Sequence, residues 1–128
     1  MNFLLDTKVA LWAITDDIRL GQKARDLIQS PKSKIWISAV SLWEISFKHS
    51  LSKEVMPISS SDAIQYFRTS GYQLLSIEPE QIAFSETLAT YLSDPYDRML
   101  LAQALSTPLR LVTSDPSIAD ISDTVIHV

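Results

Sequence analysis

Short apolar runs alternate along the chain with longer segments in which apolar residues return every three or four positions. The short runs are NFLL (2–5), KIWIS (34–38), YQLLSI (72–77), LRLVT (109–113) and TVIH (124–127). They are rich in Leu, Ile and Val and predict strands buried on both faces. Predicted helices lie between them. Thr7 to Ala13 follows the first strand at once, and GQKARDLIQ (21–29) is a polar-faced helix stopped near Ser30-Pro31. AVSLWEISFKHSL (39–51) carries Val40, Trp43, Phe47 and Leu51 at helical spacing, a stripe for core or interface. SSSDAIQYFRTSG (59–71) opens on cap residues and closes on Gly71. PEQIAFSETLATYL (79–92) starts with proline, a helix over 95–106 follows Asp94, and a last helical turn begins at Pro116. This alternation predicts an α/β domain, a three-layer α/β/α sandwich with a central, mostly parallel sheet. No repeat, low-complexity tract or linker divides residues 1–128, so a single domain is expected.

Composition narrows the function classes. At 128 residues the chain can bury a proper core. It has no cysteine, which excludes disulfides and thiolate metal sites. The segment MNFLLDTKV lacks the basic region and long apolar stretch of a signal peptide, and Asp6 interrupts it early. No run approaches the ~20 apolar residues of a membrane helix. A cytoplasmic protein with no membrane attachment is the expectation. The net charge of −4 opposes the basic footprint of a nucleic-acid binder. That objection weakens if several acids hold divalent cations, which invert the sign of a site.

Four of the acids converge in the predicted topology. Ligand sites of open parallel sheets lie at the carboxyl ends of the strands. Asp6 directly follows the first strand and Asp115 the LRLVT strand. Asp97 begins the helix that leads into LRLVT and therefore starts at the same edge. Glu44 lies in the second turn of the helix after KIWIS, near that edge again. Clustered carboxylates repel unless protons or cations neutralise them. With no Cys and two His, such a site suits Mg²⁺ or Mn²⁺ rather than zinc.

Each acid also has a plain structural reading. Asp94-Pro95 and Asp115-Pro116 both read as an N-cap followed by a first helical proline. Asp6 caps the helix from Thr7, Asp97 faces the positive end of a helix dipole, and Glu44 pairs with Lys48 four residues on. Ser38 and Ser41 could hydrogen-bond a metal-bound water or phosphate, with capping the better reading of Ser38, and Thr7 and Thr113 are strand-end hydroxyls that order a carboxylate or bond backbone. Arg98 reaches a phosphate or pairs with Asp94. His49 and His127 share no motif. Trp12, Trp36 and Trp43 read as core or interface.

The motifs FLLDT (3–7), SLWEI (41–45), DPYDRMLLAQA (94–104) and LVTSD (111–115), in this order and spacing, resemble PIN-domain proteins. The resemblance is to the ribonuclease toxins of bacterial toxin–antitoxin operons (VapC-type) and spans essentially the whole chain. It implies a PIN-like three-layer fold and a metal site and catalytic centre made of Asp6, Glu44, Asp97 and Asp115. It implies Mg²⁺- or Mn²⁺-dependent endonucleolytic cleavage of RNA by a homodimer, inhibited by a small cognate antitoxin whose tail covers the active site. One departure is visible. Many relatives carry a histidine two residues before DPxDR, where this chain has Leu92. Two rivals stand beside this reading: a non-catalytic module that keeps the fold and sequesters RNA or a protein, and a phosphatase with Asp6 as nucleophile. Lys8 occupies the position where such a phosphatase needs a second Asp.

Overall fold

The computed structural model describes residues 1–128. Its strands are β1 (Asn2–Leu5), β2 (Lys34–Ser38), β3 (Gln73–Leu75), β4 (Arg110–Thr113) and β5 (Val125–His127). Its helices are α1 (Thr7–Thr15), α2 (Gln22–Gln29), α3 (Ala39–Leu51), α4 (Ser60–Thr69), α5 (Pro79–Glu86), α6 (Pro95–Ser106) and α7 (Pro116–Ala119). All strand pairs are parallel, in the order β3-β2-β1-β4-β5. The chain moves outward from β1 through β2 to β3, then returns to the other side of β1 with β4. Connections leaving the carboxyl ends of β1 and β4 therefore diverge, and a crevice opens between them.

Alternation along the strands feeds two cores. Phe3 and Leu5 of β1 join Ile35, Ile37 and Val112 on one face, under α1, α2 and α4 through Val9, Ala24 and Phe67. Leu4 and Leu111 point to the other face, where Leu100, Leu101 and Ala104 of α6 pack with Ile118. These strands read as continuous apolar runs because both faces are covered. α3 serves both cores, Val40 on one side and Ile45 on the other.

Three sequence expectations shift. The helix predicted over 79–92 ends at Glu86. The Ser85 and Thr87 hydroxyls bond the carbonyls of Ile82 and Phe84, and the chain continues to Leu92 in tight turns. The strand predicted over 72–77 shortens to Gln73–Leu75, because the Ser76 carbonyl accepts from the Gln103 side chain instead of a neighbouring strand. The stripe on α3 is mostly surface: Trp43, Phe47 and Leu51 are exposed. The buried face of that helix is Val40, Ser41, Glu44 and Ile45.

Candidate active site

Three of the four acids at the crevice sit at the start of a helix. Asp6 ends β1 with its backbone N–H donating to the Val112 carbonyl of β4 at 2.9 Å. Its Oδ1 accepts the Val9 N–H at 2.8 Å, so it caps α1. Asp115 caps α7, accepting from the backbone and hydroxyl of Ser117 at 2.9 and 2.7 Å. Its own N–H donates to the Thr113 hydroxyl. In α6 the capping is done by Asp94, whose Oδ1 accepts from the N–H groups of Tyr96 and Asp97. That leaves the Asp97 carboxyl free to face the crevice. Glu44 is buried on α3 and pairs with Lys48. α3 is held in turn by Ser38, which caps it, and by Ser41, which accepts the Thr7 hydroxyl at 2.9 Å.

Asp6, Glu44, Asp94, Asp97 and Asp115 line one cavity of about 1020 Å³. Asp17 and Asp62 bring its carboxylates to seven, against three cations, Lys8, Arg19 and Lys48. The electrostatics show that the acids act on one another. Asp97 is pushed up to about 7, first by burial and then by the charges of Asp94, Asp6, Glu44 and Asp115. Burial also raises Asp6, opposed by the Thr113 hydroxyl, backbone N–H groups and the charge of Lys8. Asp115 is lowered by its Ser117 hydrogen bonds. A half-buried carboxyl with acid neighbours and no hydrogen bond to stabilise its charge is kept neutral by a proton, or charged beside a cation.

The donor set fits a hard cation: four carboxylates on one rim, with neutral hydroxyls behind them and no sulfur. No three of these side chains close together on one point here. One reason is visible, since Glu44 is turned toward Lys48.

The structural readings from the sequence hold together with the chemical one. Asp6, Asp94 and Asp115 do cap helices, and Asp6 and Asp115 still face the cavity beside Asp97 and Glu44. Arg98 does not pair with Asp94. Its guanidinium donates to the Leu92 and Ser93 carbonyls and so pins the turn before α6. His49 meets the Met56 carbonyl, and the His127 ring lies 3.2 Å from the Ser114 carbonyl. Asp17, Asp62, Val55 and Ile58 also line the cavity, without a signal of that role in the sequence, and beside them Leu11 and Trp12 form an apolar wall. Those residues lie on α1, α4 and the loops beside them, and no local pattern sets them apart from ordinary surface positions.

A protein-family model, PIN domain, matches residues 3–123. The chain is similar to a chain of the VapBC2 complex from Rickettsia felis, solved with a DNA fragment from its promoter. The two share 17% identity over 100% of this chain and 98% of that one, with a TM-score of 0.69. DNA-bound VapBC from Salmonella typhimurium gives 18% identity over 100% and 97%, with a TM-score of 0.67. A toxin–antitoxin complex from Klebsiella pneumoniae gives 17% over 97% and 95%, with a TM-score of 0.65. At such identities the likeness is one of fold. No curated protein matches the chain.

Proposed function

The chain belongs to the PIN domain family, and on that premise we propose that it is a divalent-metal-dependent endoribonuclease, the toxin of a toxin–antitoxin pair. The observation that carries this reading is the electrostatic coupling of Asp97 to acids from three other segments of the chain, Asp6, Glu44 and Asp115. Such convergence raises the energy of the fold, and a cation bound by the four carboxylates would offset that repulsion. Asp6, Glu44, Asp97 and Asp115 hold Mg²⁺ or Mn²⁺ in this reading. The bound ion supplies Lewis-acid polarisation of a phosphate and a more acidic water.

The chain's own residues do the rest. Asp97, about half protonated near pH 7 without a cation, would lose that proton on holding one. Asp6 and Asp115 stay oriented by their helix N–H groups, so little reorganisation accompanies the reaction. Thr113 positions Asp115 through its backbone N–H. Lys8 lines the same cavity and offers positive charge to the strand.

The antitoxin partner is supported by two features. The complexes to which this fold is similar are VapBC assemblies. The cavity also joins an acidic rim to an apolar wall, a surface suited to a basic, amphipathic tail. A homodimer acting in the cytoplasm completes the reading. No helix is long and apolar enough to cross a membrane.

The test is cleavage of a panel of structured RNAs by the purified protein in Mn²⁺, with and without chelator. Chelator-sensitive cutting is expected. If Asp6→Asn and Asp97→Asn both cut as fast as the wild type, the site assignment fails. If no RNA is cut and calorimetry detects no Mn²⁺ binding, the non-catalytic module is the better reading.

A further inference from the structure

We propose that Lys48 is a phosphate-binding residue held in reserve by Glu44: the carboxylate keeps the ammonium until a divalent cation takes its place, and the freed ammonium then holds a phosphate oxygen of the substrate. This rests on the metal-dependent reading above and adds a residue to it.

Among the three cations that line the cavity, Lys48 alone is paired with one of the four candidate ligands. Arg19 is spent on Asp17, with two hydrogen bonds at 2.7 and 3.0 Å. Lys8 is exposed and makes no ion pair. The Glu44 side chain is 11% exposed, so its charge is poorly hydrated and needs a counter-charge from the protein or from an ion. Lys48 bonds Oε2, so its ammonium stands where an incoming cation would approach the Glu44 carboxylate, and the two positive charges repel.

The released lysine has somewhere to go. Its side chain is 40% exposed and its stem is flexible. Its Nζ already lies 6.0 Å from the centre of the Tyr96 ring, which offers a face to the freed ammonium. Tyr96 directly precedes Asp97, so an ammonium resting there stays beside the acid rim. Arg98, the other cation in this part of the chain, donates to two carbonyls and does not line the cavity.

The test is Mn²⁺ calorimetry on the full chain. Lys48→Met is expected to tighten Mn²⁺ binding about tenfold, because the competitor for Glu44 is gone. Lys8→Met removes the same charge from the same cavity without freeing a carboxylate, and is expected to change affinity less than about threefold. In a Glu44→Gln background, Lys48→Met is expected to have no further effect. Equal gains in the two lysine variants, or a Lys48→Met gain that survives Glu44→Gln, overturn the counter-ion role. For the second half, adenosine 5′-monophosphate is titrated into protein saturated with Mn²⁺. Affinity about tenfold weaker in Lys48→Met and restored in Lys48→Arg is expected; unchanged affinity, or none in the wild type, overturns the phosphate role. Absence of Mn²⁺ binding by the wild type sinks the metal reading itself, a result distinct from the others.

Discussion

Two groups of buried polar side chains sit near α3, and they are built on opposite rules. The first is neutral and closed. Gln103 is fully buried on α6, accepts the Ser38 hydroxyl, and donates to the Gln81 side chain at 3.2 Å and the Ser76 carbonyl at 3.3 Å. Gln81 accepts the Glu78 N–H at the start of α5, and Ser38 accepts the Val40 N–H at the start of α3. Every member is used, and four segments are tied together. The second group is the acid rim, which is open and charged. Asp6 and Glu44 are as buried as Gln81, yet they share a cavity with Asp97 and Asp115, and the four repel. The contrast separates polarity that serves the fold from polarity kept for a ligand. The former satisfies itself; the latter keeps carboxylates that repel one another, with Glu44 alone paired to a cation of the chain.

That contrast can be broken most forcefully by making the rim neutral. Asp97→Asn is expected to lower RNA cleavage by about 10²–10³-fold, as loss of one preorganised electrostatic group does, with the fold intact by circular dichroism. Gln103→Leu strikes the closed network instead and leaves Ser38, Gln81 and Ser76 short of a partner. It is expected to cost about 2–4 kcal/mol in urea denaturation while activity per folded molecule is kept. A cost near zero would show that the network holds nothing.

Supplying a divalent cation is the next step down. Mn²⁺ at a hundred times its dissociation constant is expected to add about 2.7 kcal/mol to wild-type stability. Asp6→Asn with Asp97→Asn is expected to lose most of that gain, and chelator to reverse it. Equal stabilisation of the double variant would place the ion elsewhere.

The smallest effect is one of pH. Asp97 ionises near 3.8 when unfolded and near 7 when folded. Between those values the native state holds the extra proton, so the contribution of Asp97 falls as pH rises and stays unfavourable above about 7. In chelator at pH 8, Asp97→Asn is therefore expected to melt about 3 °C above the wild type, and at pH 4 to show no advantage. A residue whose loss abolishes cutting and raises the melting point belongs to function rather than to the fold.

Much of this molecule was legible in the sequence. β2, α3 and α6 run over the residues that local pattern assigns to them. Caps and apolar periodicity act within a few residues, and Ser38, Asp94 and Pro95 state where a helix begins. The site was legible as far as the parallel topology carries it, which was enough to bring the four acids to one edge. Less visible was what each acid does there. Asp6 and Asp115 cap helices and line the cavity at once, so the two readings of a capping Asp do not exclude each other.

The sequence by itself determined the elements, their order and the helix starts that aim Asp6, Asp97 and Asp115, because those depend on near neighbours along the chain. Only the tertiary structure decided that Trp43, Phe47 and Leu51 face outward while Glu44 is buried, that Arg98 braces a turn, and that Asp97 ionises near 7. Those outcomes depend on which helix covers which side of α3 and on distances between charges brought together by long crossovers. Desolvation and repulsion act through space and leave no mark on the local pattern.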